Sequence, residues 1–112
     1  MTIPPVEGGS VVSNEQDPVK AALALLDLDV WSISSVPGVI TVVRRWSDNS
    51  TDTIVILSPA TSYARRDDHR ARLVWSAQGT VTEVVPEARD LPAPGQPDAP
   101  REVVPERLEP DL

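Results

Sequence analysis

The sequence has no cysteine, so disulfides cannot stabilise its fold and no thiolate is available to bind a metal. A single histidine, His69, leaves too few imidazoles for a structural zinc site. No apolar run approaches the roughly 20 residues that a membrane-spanning helix needs. The first residues also lack the basic and apolar segments of a secretory signal. We therefore expect a cytoplasmic protein that uses no metal and no cofactor and has no membrane partner.

Phenylalanine is also absent, and lysine occurs once against nine arginines. Together with twelve prolines, this usage favours GC-rich codons and indicates a high-GC bacterium or its phage. The largest apolar side chains are then three tryptophans, for which core packing is the default interpretation and an exposed binding role the alternative. They are Trp31, Trp46 and Trp75, and we expect Trp46 to be partly exposed because it follows Arg45 at a strand end.

Proline divides the 112 residues into three parts. We predict a flexible arm over residues 1–16, a single domain over 17–91 and an acidic, proline-rich tail over 92–112. The core of a domain of this size gives only a few kcal/mol of net folding stability. Small domains commonly gain further stability by self-association. We therefore expect a homodimer or a subunit of a larger assembly.

The net charge of −7 is concentrated at the two ends of the chain. Residues 1–29 and residues 85–112 each carry a net charge of −4, whereas residues 30–84 carry +1. Acidic ends commonly keep a small apolar body soluble. The alternative is that an acidic tail shields, or competes for, the positive face of the central body.

The residues after Asp17 predict a helix. The Asp17 carboxylate can accept hydrogen bonds from the first free N–H groups, and Pro18 suits the first helical position. A helix that we extend to Leu28 must cover a sheet or a partner subunit, because three of its apolar residues share one stripe: Val19, Leu23 and Leu26.

Alternating and β-branched segments then predict a four- to five-stranded, mainly antiparallel sheet with the N-terminal helix packed on one face, an α+β fold. The near-continuous apolar segment Thr53–Leu57 predicts a central strand that is covered on both faces. The other predicted strands are 30–34, 39–46, 71–76 and 80–84, with turns at 37–38, 47–50 and 77–79.

Two segments leave alternatives open. Residues 58–70 favour a loop with one helical turn, and a short edge strand over Thr61–Arg65 is the alternative. In place of the last strand, Thr82 could cap a helix over residues 83–91. Pro86 argues against this helix, because a proline disfavours helical backbone at the residue before it.

Motifs of enzymatic catalysis are missing. No Gly-x-Ser-x-Gly motif and no glycine-rich phosphate loop occurs, and any serine nucleophile would need His69 as its base. Asp67 and Asp68 adjoin His69, but three successive side chains rarely converge on one atom. We interpret these three residues as a solvated loop, and a scattered carboxylate site is the enzymatic alternative.

Arginines and aromatic residues form the candidate interaction site. If the sheet brings them together, they can grip the phosphates or carboxylates of a partner, and otherwise they are intramolecular or solvated. The charge of −7 and the nearby Asp67 and Asp68 oppose nucleic-acid binding. The candidate residues are Arg44, Arg45, Trp46, Tyr63, Arg65, Arg66, Arg70 and Arg72.

These patterns predict a non-enzymatic protein–protein interaction module, which is an accessory, regulatory or assembly subunit. Its expected partner is another protein or a second copy of itself. A nucleic-acid-binding regulator that uses the arginine-rich face is the first alternative. An enzyme with a scattered carboxylate site is the second.

Overall fold

The computed structural model describes residues 17–104, which form a five-stranded antiparallel sheet and two helices. The strands lie in sequence order across the sheet, so each strand pairs with its neighbour along the chain. The α+β class and the antiparallel sheet are therefore confirmed. The elements are α1 (Pro18–Leu23), β1 (Trp31–Val36), β2 (Val39–Arg45), β3 (Thr51–Ser58), β4 (Thr61–Asp67), β5 (Leu73–Gly79) and α2 (Val81–Arg89).

Helix α1 begins where the sequence predicts it. The Asp17 carboxylate accepts hydrogen bonds from the N–H groups two and three residues later, each at 3.1 Å. The helix ends at Leu23, short of the predicted Leu28, because the amides of Leu25 and Leu26 bond three residues back instead of four. Helix α1 packs on α2. The sequence predicted that this helix would cover the sheet, but it is not the main cover.

Strand β4 corrects the prediction for residues 58–70. These residues do not form a loop with a helical turn, because Thr61–Asp67 is a full strand between β3 and β5. The alternative was correct in predicting a strand but wrong in placing it at the sheet edge. The alternation is hidden in the sequence because a charged residue, Arg66, occupies a buried position beside Ala64.

Helix α2 corrects the end of the predicted sheet. Residues 77–79 continue β5, and the predicted strand over residues 80–84 is the start of a helix. The Glu83 carboxylate accepts a hydrogen bond from the Thr80 N–H at 3.1 Å and so fixes the first turn. Pro86 lies inside this helix, which leaves one position without an N–H donor. Packing outweighs that loss, because four residues at helical spacing are buried: Val81, Val84, Val85 and Ala88.

Among residues 17–104, one face of the sheet is covered and the other is not. Helix α2 packs on β3, β4 and β5, and the glycine that ends β5 leaves room for the Glu83 side chain in the first turn of the helix. Ile54 and Ile56 of β3 point into this core, while Leu57 is exposed. The prediction that β3 is covered on both faces is therefore wrong.

The chain after α2 returns along the sheet. Arg66 donates to the Pro92 carbonyl at 2.6 Å, and the Val104 N–H donates to the Leu73 carbonyl at 2.7 Å. The predicted arm, residues 1–16, and the end of the predicted tail, residues 105–112, lie outside the described residues. Between residues 17 and 104, neither helix has the length and apolar character that crossing a bilayer requires.

Candidate interaction surface

A row of large polar and aromatic side chains crosses the covered face of the sheet. It consists of one residue from each strand, in the order Trp31, Arg44, Asp52, Arg66 and Trp75. Each member is the direct cross-strand partner of the next, so their side chains leave the sheet on the same side. The row is therefore built by strand register alone and not by any local motif.

Asp52 is the centre of this row. Its carboxylate accepts from Nε and Nη2 of Arg44 at 3.0 and 2.8 Å, and from Nε and Nη2 of Arg66 at 2.6 and 3.0 Å. Trp46 Nε1 donates a further bond at 2.9 Å. The Asp52 and Arg66 side chains are each only 1% exposed. We call Arg44, Asp52 and Arg66 the buried triad.

The buried triad holds two positive charges against one negative charge, and α2 balances the difference. Arg44 donates to the Ala88 carbonyl at 3.0 Å and to the Arg89 carbonyl at 3.4 Å. These carbonyls belong to the last turn of α2, which is the negative end of the helix dipole. The Arg44 guanidinium also lies 4.3 Å from the ring centre of Trp31 and 4.6 Å from that of Trp46. The triad therefore fastens α2 to the sheet.

The structure divides the eight predicted interaction residues among four locations. Arg44 and Arg66 are buried, and Trp46 is half-buried as expected, with its indole N–H held by Asp52. These three residues come together, but under α2 and not on an outward arginine face. The sequence did indicate that Arg44 and Arg66 point inward, because each lies two positions after an apolar residue of its strand and therefore on the same face.

The other five predicted residues lie elsewhere. Tyr63 and Arg65 are on the uncovered face, where Arg65 pairs with Asp67 at 2.6 Å. Arg45 is exposed at the end of β2. Arg70 and Arg72 belong to the loop between β4 and β5 and are exposed. The predicted set therefore does not form one continuous surface.

The residues Asp67, Asp68 and His69 do not converge on a common point. Asp68 accepts hydrogen bonds from the backbone N–H groups of Arg70 and Arg72, both at 2.9 Å, and pairs with the Arg72 guanidinium at 2.9 Å. Asp67 is engaged by Arg65, and His69 is exposed. The geometry is that of a hydrogen-bonded loop.

These bonds give the loop a predictable pH dependence. The Arg72 backbone N–H, helped by its guanidinium, lowers the pKa of Asp68 from 3.8 to about 2. Because the pKa is lower in the folded state, the stabilising contribution is present above pH 3.8 and disappears as the pH falls through 2. A carboxyl carbon NMR titration should show an Asp68 midpoint near 2. In Arg72→Gln the midpoint should rise but stay below 3.8, because the backbone bond is the largest cause; a wild-type midpoint near 4 would contradict the geometry.

The uncovered face of the sheet carries a shallow groove of about 810 Å³. Two cross-strand rows form its floor, with Val55, Tyr63 and Gln78 in one and Thr53, Arg65 and Ser76 in the other. Leu73 and Val104 lie at one end. Apolar and uncharged polar side chains therefore dominate the groove, and the charge of Arg65 is met by Asp67.

A second, smaller groove of about 520 Å³ lies between α1 and the turn that joins β1 to β2. Neither groove is lined by a carboxylate or by histidine. Among residues 17–104, no cluster of three histidine or acidic side chains has the spacing to hold a metal ion. Comparison with protein-family models, with curated proteins and with solved structures gives no match to this chain.

Proposed function

We propose that this protein is a non-enzymatic protein–protein interaction module whose binding surface is the uncovered face of the sheet. The observation that carries the proposal is the groove on that face, which presents apolar and uncharged polar groups across three strands. The other face is closed by α2 and the buried triad. The protein then serves as a small accessory, regulatory or assembly subunit.

Tyr63 is the expected anchor of the binding surface. Its side chain lies in the middle of the groove, on the row shared with Val55 and Gln78, and is 43% exposed. A tyrosine offers a large contact area and a hydroxyl group while losing little rotamer entropy, which is why tyrosines recur as binding hot spots. The surrounding threonine and serine hydroxyls can satisfy a partner's backbone groups.

The charge distribution indicates the chemistry of the partner. The groove contains one arginine that is already paired, so a partner's buried charge would find no counter-charge there. The whole chain has a net charge of −7, which attracts basic surfaces at long range. We therefore expect a protein segment with an apolar centre flanked by lysine or arginine.

Co-purification from the native host with matched baits tests this proposal. The wild-type protein and Leu25→Ala should recover the same partner, whereas Tyr63→Ala should lose it, because truncating a central anchor weakens binding by tenfold or more. Leu25 is a fair control because it is 47% exposed but lies beyond the end of α1, away from the groove. Calorimetry with the purified partner gives the affinity ratio.

Two outcomes would contradict the proposal. One is an unchanged affinity of Tyr63→Ala for the recovered partner. The other is a wild-type bait that recovers nothing. We favour this proposal over the nucleic-acid alternative, since Arg44 and Arg66 are buried and both Arg65 and Arg72 form ion pairs.

A further inference from the structure

The two edges of the sheet differ in how they avoid pairing with another strand. At the β5 edge, the register shifts between Arg66 and Asp67, and the Val104 N–H occupies the Leu73 carbonyl. A bulge and a covering segment are devices that block an edge. Strand β1 forms the other edge, and its register with β2 is unbroken over all six residues. Among residues 17–104, the only backbone bond to this strand from outside the sheet is at its start, where the Trp31 N–H donates to the Asp27 carbonyl at 2.8 Å. Strand β1 also contains no charged residue and no proline.

Apolar side chains accompany the unprotected β1 edge. Helix α2 has its main contacts with β3, β4 and β5, and five of the six residues of β1 are exposed. Ile33 shares a cross-strand row with the buried Val42 and Ile54, yet it is 40% exposed. The exposed apolar residues along this edge are Leu28, Val30, Ile33 and Val36.

We propose that β1 pairs antiparallel with β1 of a second copy of this chain, so that the two sheets form one ten-stranded sheet. A two-fold axis through Ile33 brings Ile33 against the partner's Ile33 and sets Ser32 opposite the partner's Ser34. Paired residues must lie on the same face of a sheet, and this register satisfies that condition for both pairs. Backbone groups that the edge leaves unpaired gain partners, and the apolar side chains leave water.

Charge favours a second copy in this orientation. The edge carries no charge of its own, and the nearest carboxylates, Asp27 and Asp29, precede β1 at one end. Antiparallel pairing sets the two Trp31 residues, where β1 begins, about 14 Å apart at roughly 3.4 Å per residue, which exceeds the screening length of about 8 Å in physiological salt. The carboxylates that precede β1 then lie at opposite ends of the paired strands. Parallel pairing would place the same carboxylates side by side. The pairing does not involve the groove and is independent of the proposed function.

Sedimentation velocity on the full chain over a concentration series tests the dimer. The wild type should be dimeric at micromolar concentration. Ile33→Lys should raise the dissociation constant about 100-fold or more, because it removes the burial of two isoleucines and sets two lysines against each other at the axis. Leu57→Lys is the matched control, since Leu57 is 44% exposed but lies on β3. It should leave the dimer unchanged. A dimer that Leu57→Lys breaks and Ile33→Lys preserves would overturn the proposal.

Two further variants address the axis directly. Ile33→Glu alone should be monomeric, and mixing it with Ile33→Lys should restore dimers, which is expected only if the two positions meet. The chain has no native cysteine, so Ile33→Cys under mild oxidation should form a single intermolecular disulfide, whereas Leu57→Cys should not. A wild type that stays monomeric to millimolar concentration, or equal cross-linking of both cysteine variants, would refute the pairing.

Discussion

Replacing Asp52 with asparagine should destabilise the protein by about 3–5 kcal/mol, the usual cost of removing one partner from a buried ion pair. The change keeps the side-chain volume, but it removes the charge that holds Arg44 and Arg66 together under α2. Two guanidinium groups would then remain buried beside an amide that can accept fewer bonds. Urea denaturation followed by circular dichroism at pH 7 measures the loss. Domains of this size lose roughly 4–8 °C of melting temperature per kcal/mol.

Asp67→Asn is the matched control for this experiment. It removes a carboxylate of the same kind, paired with Arg65 at 2.6 Å, from a position that water reaches. Exposed pairs contribute about 1 kcal/mol or less, so the control should stay close to wild type. A loss below about 1 kcal/mol for Asp52→Asn would mean that the triad does not fasten α2 to the sheet.

Val84→Asp should have an effect of similar size, about 4 kcal/mol or more, because it buries a charge without a partner. Val84 is 1% exposed and belongs to the stripe by which α2 closes the core. Thr82→Asp is the control, since Thr82 is exposed two residues earlier, in the first turn of the helix. An acid there should be neutral or slightly stabilising, because it lies at the positive end of the helix dipole.

Urea denaturation also measures the free energy of unfolding of these two variants. The expected result is a large loss for Val84→Asp and little or none for Thr82→Asp. Equal destabilisation by Val84→Asp and Thr82→Asp would contradict the burial of one helix face. It would also reopen the question of whether residues 81–89 are helical, which far-ultraviolet circular dichroism can answer for each variant.

Local chemistry was sufficient to predict several elements. Asp17 and Pro18 define the start of α1, because the cap and its bonded N–H groups all lie within residues 17–20. The turn that follows Trp46 depends on Asp48, whose carboxylate accepts a hydrogen bond from the Ser50 N–H at 2.8 Å. The β-branched run of β2 and the apolar run of β3, which this turn joins, indicated the β2–β3 hairpin. In each case the information lies within a few residues of the structure that it determines.

The candidate site was harder to predict because its parts meet only across the sheet. Each of the two buried arginines adjoins a second arginine, Arg45 or Arg65, that points to the opposite face. A pair of adjacent arginines looks like a surface patch in the sequence, while strand alternation sends the two side chains in opposite directions. The dimer edge and the anchoring role of Tyr63 stay predictions.

The sequence by itself determined the α+β class, the beginning of α1 and the β2–β3 hairpin, because these depend on capping groups, turn residues and side-chain period. Only the tertiary structure decided that residues 81–89 form a helix despite Pro86, and that Arg44 and Arg66 turn inward. Burial of four apolar side chains on the sheet outweighs one missing hydrogen bond, and one carboxylate from β3 makes two inward guanidinium groups tolerable. Both balances depend on partners that are distant in the chain, so no local pattern can contain them.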